Sequence, residues 1–154
     1  MSLKNRALTT VFSTLFALGF VSVGTLVKAQ ELTQKQSSYC TNRLLQGYYG
    51  STSSGFTNSG ATPFNLVFLD KFDGNGNIIG VNGSSSSGGV ITQNLSDTGT
   101  YKVNNDCTVT INFNISKGEI SRNFGVIVHG GKKIIYISTD AKSNISGTFE
   151  KVNY

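Results

Sequence analysis

Cys107–Ile115 reads CTVTINFNI. Val109, Ile111, Phe113 and Ile115 fall on one parity, while Thr108, Thr110, Asn112 and Asn114 fall on the other. A period of two over that length marks a β-strand with one buried face. The residue types agree, since β-branched and aromatic side chains fill a pleated, half-buried surface. Cys107 shares the apolar parity, which suits a buried disulfide.

Working outward, the chain from Arg43 onward repeats this design in short runs separated by Gly, Asn and Ser. Phe64–Phe72 (FNLVFLDKF) is apolar on both faces near its middle, through Leu66 and Phe68 as well as Val67 and Leu69. Phe124–Val128 predicts a strand with Phe124, Val126 and Val128 inward. Lys133–Ser138 holds Ile134, Ile135, Tyr136 and Ile137, and Ile145–Val152 places Ile145 and Phe149 on one face. Gly47–Phe56, Ile78–Asn82 and Val90–Val103 are weaker candidates, the last with room for a break. Only Leu32–Leu45 offers a short helix, and there is no internal repeat.

The connections read as hairpin turns. Asp73-Gly-Asn-Gly-Asn77, Asn104-Asn-Asp106 and Gly130-Gly131 supply residues that tolerate positive φ, and Ser143-Asn144 starts the last run. Ser84–Gly89 (SSSSGG) reads as a flexible loop, too short to link domains. About eight short antiparallel strands in roughly 110 residues fit an all-β domain. Turns at this spacing let each strand pair with its neighbour, and closure removes exposed edges. The expectation is a closed or nearly closed β-barrel over residues 43–154, with a β-sandwich as the alternative.

The amino terminus is of another kind. MSLKNRALTTVFSTLFALGFVSVGTLVKAQ has a basic start at Lys4 and Arg6, an apolar stretch from Ala7 to Val27, and small side chains at Val27 and Ala29. That is the layout of a secretory signal peptide cleaved after Ala29, leaving residues 30–42 as an extension. The competing reading is a retained anchor, because the run is long enough to span. Thr9, Thr10, Ser13, Gly19, Ser22 and Gly24 dilute it, and no Cys stands at the cleavage point to carry a lipid. No segment after residue 30 reads as a membrane span. The protein is therefore expected outside the cytoplasm, secreted or periplasmic.

In an oxidising compartment, Cys40 and Cys107 most simply form one disulfide. Closing so long a loop is credited with about 4 kcal/mol by the chain-entropy model, less any native strain. Two free thiols or half of a metal site are the alternatives. A metal site needs more ligands than one His and two distant Cys provide.

Charge narrows the function. The formal +5 includes Lys4, Arg6 and Lys28; without them 13 basic residues become 10 against 8 acids, a net of +2. That balance excludes a nucleic-acid binder relying on a dense basic patch. With 14% charged and 38% hydrophobic residues and a single Pro, the chain is no disordered segment either.

Motifs for chemistry are few. Asp73-Gly-Asn75-Gly-Asn77 resembles the opening of a calcium loop, but positions six and twelve are Ile78 and Ser84 rather than Gly and Glu. A turn is the favoured reading, with weak calcium binding by Asp70 and Asp73 as the minor one. His129, the only histidine, stands at a strand end beside Gly130 and reads as solvated. No nucleophile elbow, GxGxxG segment or phosphate loop occurs in its required setting, so no catalytic residue, cofactor or metal is assigned. Four N-x-S/T triplets, beginning at Asn82, Asn94, Asn114 and Asn144, carry no information in a chain so rich in Asn, Ser and Thr.

Aromatic residues are the remaining resource, because a barrel of this size either packs its interior with them or keeps a small apolar cavity. The candidates for lining such a cavity are Tyr48, Phe68, Tyr101, Phe113, Phe124 and Tyr136, with the Asp70 carboxylate as a polar handle. The expected partner is a small apolar ligand.

Leu45-Gln-Gly-Tyr-Tyr49-Gly, Phe72-Asp-Gly-Asn-Gly-Asn77, Gly99-Thr-Tyr-Lys-Val103 with Asp106-Cys-Thr108, and Gly147-Thr-Phe149 occur in that order. The arrangement resembles a group of small exported bacterial β-rich proteins of unknown function. More distantly, the strand pattern is similar to allene-oxide-cyclase-like and dirigent-like barrels. The first resemblance implies secretion and a β fold. The second implies an interior that takes apolar substrates, and in some members cyclisation or steered coupling. Three functions stand as expectations: non-catalytic binding of a small apolar ligand, a barrel-type cyclase or isomerase, and an envelope or matrix structural protein.

Overall fold

The computed structural model describes residues 40–115 and 118–153; the signal-peptide reading and the extension up to residue 39 lie outside them. Eight strands follow one another: β1 Gln46–Thr57, β2 Thr62–Asp73, β3 Asn77–Ser87, β4 Val90–Val103, β5 Thr108–Asn114, β6 Ile120–Val128, β7 Lys133–Ser138 and β8 Asn144–Lys151. Each pairs antiparallel with its neighbour in sequence, and β1 pairs with β8 to close the barrel. The sandwich alternative is thereby set aside. Among the described residues no helix is long and apolar enough to cross a membrane.

Five sequence expectations meet corrections. Ser84–Ser87 belongs to β3, and the turn is only Gly88-Gly89. The residues paired there, Phe64 with Ser87 through Val67 with Ser84, hold the serines in the ladder. The break in β4 is a bulge at Asn94, which adopts φ +57° where the register against β3 shifts between Gly83 and Ser85. Within Leu32–Leu45 the described structure shows only a single 3-10 turn, Asn42–Leu44.

The fourth concerns parity in β6. Phe124 and Val126 point outward, 42% and 45% exposed, while Asn123, Gly125 and Ile127 face in. Phe124 pairs with Thr110 and Val126 with Thr108, both on the outer face of β5, and cross-strand partners share a face. Gly125 suits the inside because a Cβ there would stand 2.9 Å from Ile134 and 3.2 Å from Tyr136. The fifth is Tyr48. It lies outside, with the Lys71 ammonium 5.5 Å from its ring, and its neighbour Tyr49 takes the interior position.

The interior is filled at one end only. Around Phe72 pack Tyr49, Tyr101 and Phe149, with ring centroids 4.9, 5.1 and 5.6 Å away. Val109, Ile111, Ile134 and Leu45 complete this end and are fully buried. The chain entering β1 caps it: Cys40 is bonded to Cys107, Tyr101 Oη donates to Leu45 O at 2.8 Å, and Asn42 Oδ1 accepts from Val103 N. Tyr49 Oη donates to Gly131 O at 2.6 Å, and burial together with Tyr101 pushes its pKa up to about 12.

Candidate functional site

Toward the other end the inward side chains shrink, and the barrel is hollow. The cavity has a volume of about 470 Å³. On β1 the inward residues beyond Tyr49 are Ser51 and Ser53, both buried. Opposite small residues lie Phe64, Leu66 and Phe68 of β2, Phe113 and Ile115 on the β5 side, and Ile145 and Phe149 of β8. Asn58 in the first turn and Asp140–Ser143 in the last loop frame the mouth. Ser59 N donates to Lys142 O at 2.9 Å, which ties the two loops together, and Arg122 pairs with Asp140 at 3.3 Å.

The floor is polar. Asp70 of β2 is 1% exposed and accepts a hydrogen bond on Oδ2 from Ser51 Oγ at 2.7 Å. Ser53 and Tyr136 share a short hydrogen bond beside it. Asp97 of β4 reaches in from two strands away: Gly80 of β3 stands opposite both acids in the ladder. Having no Cβ, Gly80 leaves the space that the Asp97 carboxyl and the edge of the Phe68 ring occupy. The same ring lies over Gly83.

Asp97 Oδ1 is cut off from water and has no hydrogen-bond partner. Burial, and secondarily the charge of Asp97, raises the Asp70 pKa to about 7 against the pull of the Ser51 hydrogen bond. Burial raises Asp97 to about 6. Both acids therefore hold or release a proton close to neutrality, the range in which a carboxyl can either donate or accept. Burial also raises the Tyr136 phenol.

Of the seven sequence candidates, Phe68, Asp70, Phe113 and Tyr136 line the cavity. Tyr101 is buried in the packed end, where its hydroxyl closes the cap, and Tyr48 and Phe124 lie outside the barrel. Ser51, Ser53, Asp97 and Asn123 were not foreseen. The alternation of Ser51 and Ser53 after Tyr49 was the available signal, since small polar residues on an inward parity leave a barrel unfilled. Asp97 shares the inward parity of Tyr101 and Val103 on β4, and that alternation was its available signal.

The other singled-out motifs are structural. The Asp73 carboxylate accepts from the backbone N–H groups of Asn75, Gly76 and Asn77 and from Asn77 Nδ2, and these bonds lower its pKa to about 2. Asp70 faces the interior, so the two acids do not converge on one ion. His129 is exposed in the β6–β7 turn, at the packed end. Among the described residues no three His, Cys, Asp or Glu side chains converge as a metal site.

Fold and site together define a small up-and-down antiparallel barrel, disulfide-capped and packed at one end, hollow and acid-floored at the other. No family model, curated protein or solved structure matches the chain.

Proposed function

We propose that the chain is an exported barrel that binds a small, mostly apolar molecule in its open half. The observation that carries this reading is the cavity of about 470 Å³, walled by Phe64, Leu66, Phe68 and Phe113 with polar groups gathered at its floor. Ligand sites are typically apolar hollows in this size range, with a few convergent polar groups that fix orientation. Export is supported by the small residues at Val27 and Ala29 and by the Cys40–Cys107 bond, which suits an oxidising compartment.

Nile red, a neutral apolar dye, tests the binding reading. The folded chain should enhance its fluorescence saturably, and Leu66→Trp, which fills the hollow, should abolish the enhancement. An enhancement undiminished in a folded Leu66→Trp protein places the dye elsewhere and defeats the proposal. Mass spectrometry of the protein from its own host tests export: the chain should begin at Gln30 and show no free thiol after denaturation.

A second reading, the barrel-type cyclase or isomerase, is favoured by one feature. Asp70, with a pKa near 7, stands in the cavity close enough to Tyr136 for its charge to act on the phenol. A carboxyl of that kind can move a proton on a substrate held against apolar walls. The distant similarity to allene-oxide-cyclase-like and dirigent-like barrels belongs with this reading. A solid core with an exposed apolar patch would favour the third reading, an envelope or matrix structural protein.

A further inference from the structure

The polar groups at the cavity floor differ in what they leave for a ligand. Ser51 donates its hydroxyl to Asp70, and Ser53 and Tyr136 are bonded to each other. The two carboxyls keep unused acceptor capacity, and Asp97 Oδ1 has no partner although it is out of water. A buried carboxylate without a partner is costly, so such an atom marks a place where a donor or a positive charge belongs.

The protein supplies no such charge at the floor. The other ionisable groups lining the cavity are Tyr136 on β7 and, at the mouth, Asp140 and Lys142. Asp140 is already paired with Arg122. Gly80 pairs with Asp70 on one side and Asp97 on the other, and the Asp97 carboxyl and the edge of the Phe68 ring fill the space its missing Cβ leaves, so both acids belong to one stretch of the cavity floor. The cavity walls include the Phe68, Phe113 and Phe149 rings, with Phe68 beside Gly80; such rings accept an apolar body and their faces also attract cations.

We infer, resting on the proposal that the open half of the barrel is a ligand site, that its occupant is an organic monocation. It is a protonated amine on an apolar body, its ammonium held at the cavity floor by the Asp70 and Asp97 carboxylates. The linkage has a definite sign. With the acids raised to about 7 and about 6, both carry protons at pH 5 and an ammonium must displace them. At pH 8 they are ionised and an alkylammonium is still charged, so affinity rises with pH over this window.

The test is calorimetric titration of the disulfide-bonded chain with 2-phenylethylammonium, 2-phenylethanol and 3-phenylpropanoate, at pH 5 and pH 8. The ammonium should bind at least about tenfold more tightly than the alcohol at pH 8, and that preference should shrink severalfold at pH 5. Asp70→Asn and Asp97→Asn, each confirmed folded by near-ultraviolet circular dichroism, should each remove the preference for the ammonium over the alcohol. Either variant alone suffices if the other fails to fold. Should the alcohol or the propanoate equal the ammonium at pH 8, or both Asn variants keep the preference, the cation assignment is wrong while the cavity remains a ligand site. If none of the three probes binds, both proposals fall.

Discussion

Asp70 concentrates the conflict between site and stability in one side chain. It is 1% exposed, and its pKa rises from 3.8 to about 7 because burial disfavours the charge. Between those values the native state keeps a proton that the unfolded chain has released. Unfolding free energy therefore falls as pH rises through this window, and the full contribution is present only below it. A three-unit shift corresponds to at most about 4 kcal/mol. Urea unfolding should give a protein less stable at pH 8 than at pH 5 by about 2 kcal/mol or more, with Asp70→Asn flattening that slope. An unchanged slope in the variant would show that the acid is not held as described. Accepting such a cost at an inward position is what a binding or proton-handling group requires.

At the level of elements, glycines and turns decide which side chains fit. A Cβ on Gly147 of β8 would collide with the Thr52 carbonyl and come within 2.8 Å of the Tyr136 ring, and backbone cannot yield as a side chain end can. A Cβ on Gly50 meets nothing within 4 Å. Gly147→Ala should thus cost about 1–3 kcal/mol in chemical denaturation, against well under that for Gly50→Ala. Equal effects at the two positions would refute the close approach of β8 to β1. The β2–β3 turn makes a different prediction. The Asp73 carboxylate is fully engaged by Asn75, Gly76 and Asn77, so millimolar calcium should leave the melting temperature unchanged. A rise of many degrees would mean that the turn is a cation site after all.

For the whole molecule, the contrast between ends governs where it opens. The disulfide spans 67 residues and fastens the entry to β1 against the β4–β5 turn, over the packed end. Reduction should lower stability by about 4 kcal/mol on the chain-entropy account, read as a drop in urea midpoint; a midpoint that does not move would leave the cap without a stabilising role. At the hollow end, β4 pairs with β5 only from Thr98 to Val103, so Val90–Asp97 has β3 on one side and no ladder on the other. Native-state hydrogen exchange should be slowest around Tyr101 and Ile111 and markedly faster across Ser85–Asn94. Uniform protection would contradict a barrel whose core occupies one end.

Much of this was legible in the chain itself. The period of two in Cys107–Ile115, the Gly- and Asn-rich turns and the even spacing of short runs determined an all-β meander, because alternation and turn chemistry are local properties. Cysteine parity likewise pointed to the Cys40–Cys107 bond. What tertiary structure alone decided was which parity faces inward where both are apolar or both polar. Phe124 and Tyr48 went outward because their cross-strand partners, Thr110 and Lys71, did, and pairing register is a long-range fact. The site depended on more distant coincidences still. Asp97 and Asp70 flank one glycine only because the β2–β3 register shifts between Leu69 and Asp70, setting Asp70 opposite the same Gly80 that Asp97 pairs with from β4. No local pattern encodes a hollow, since it arises where inward residues from separate strands are all too small to fill the space they share.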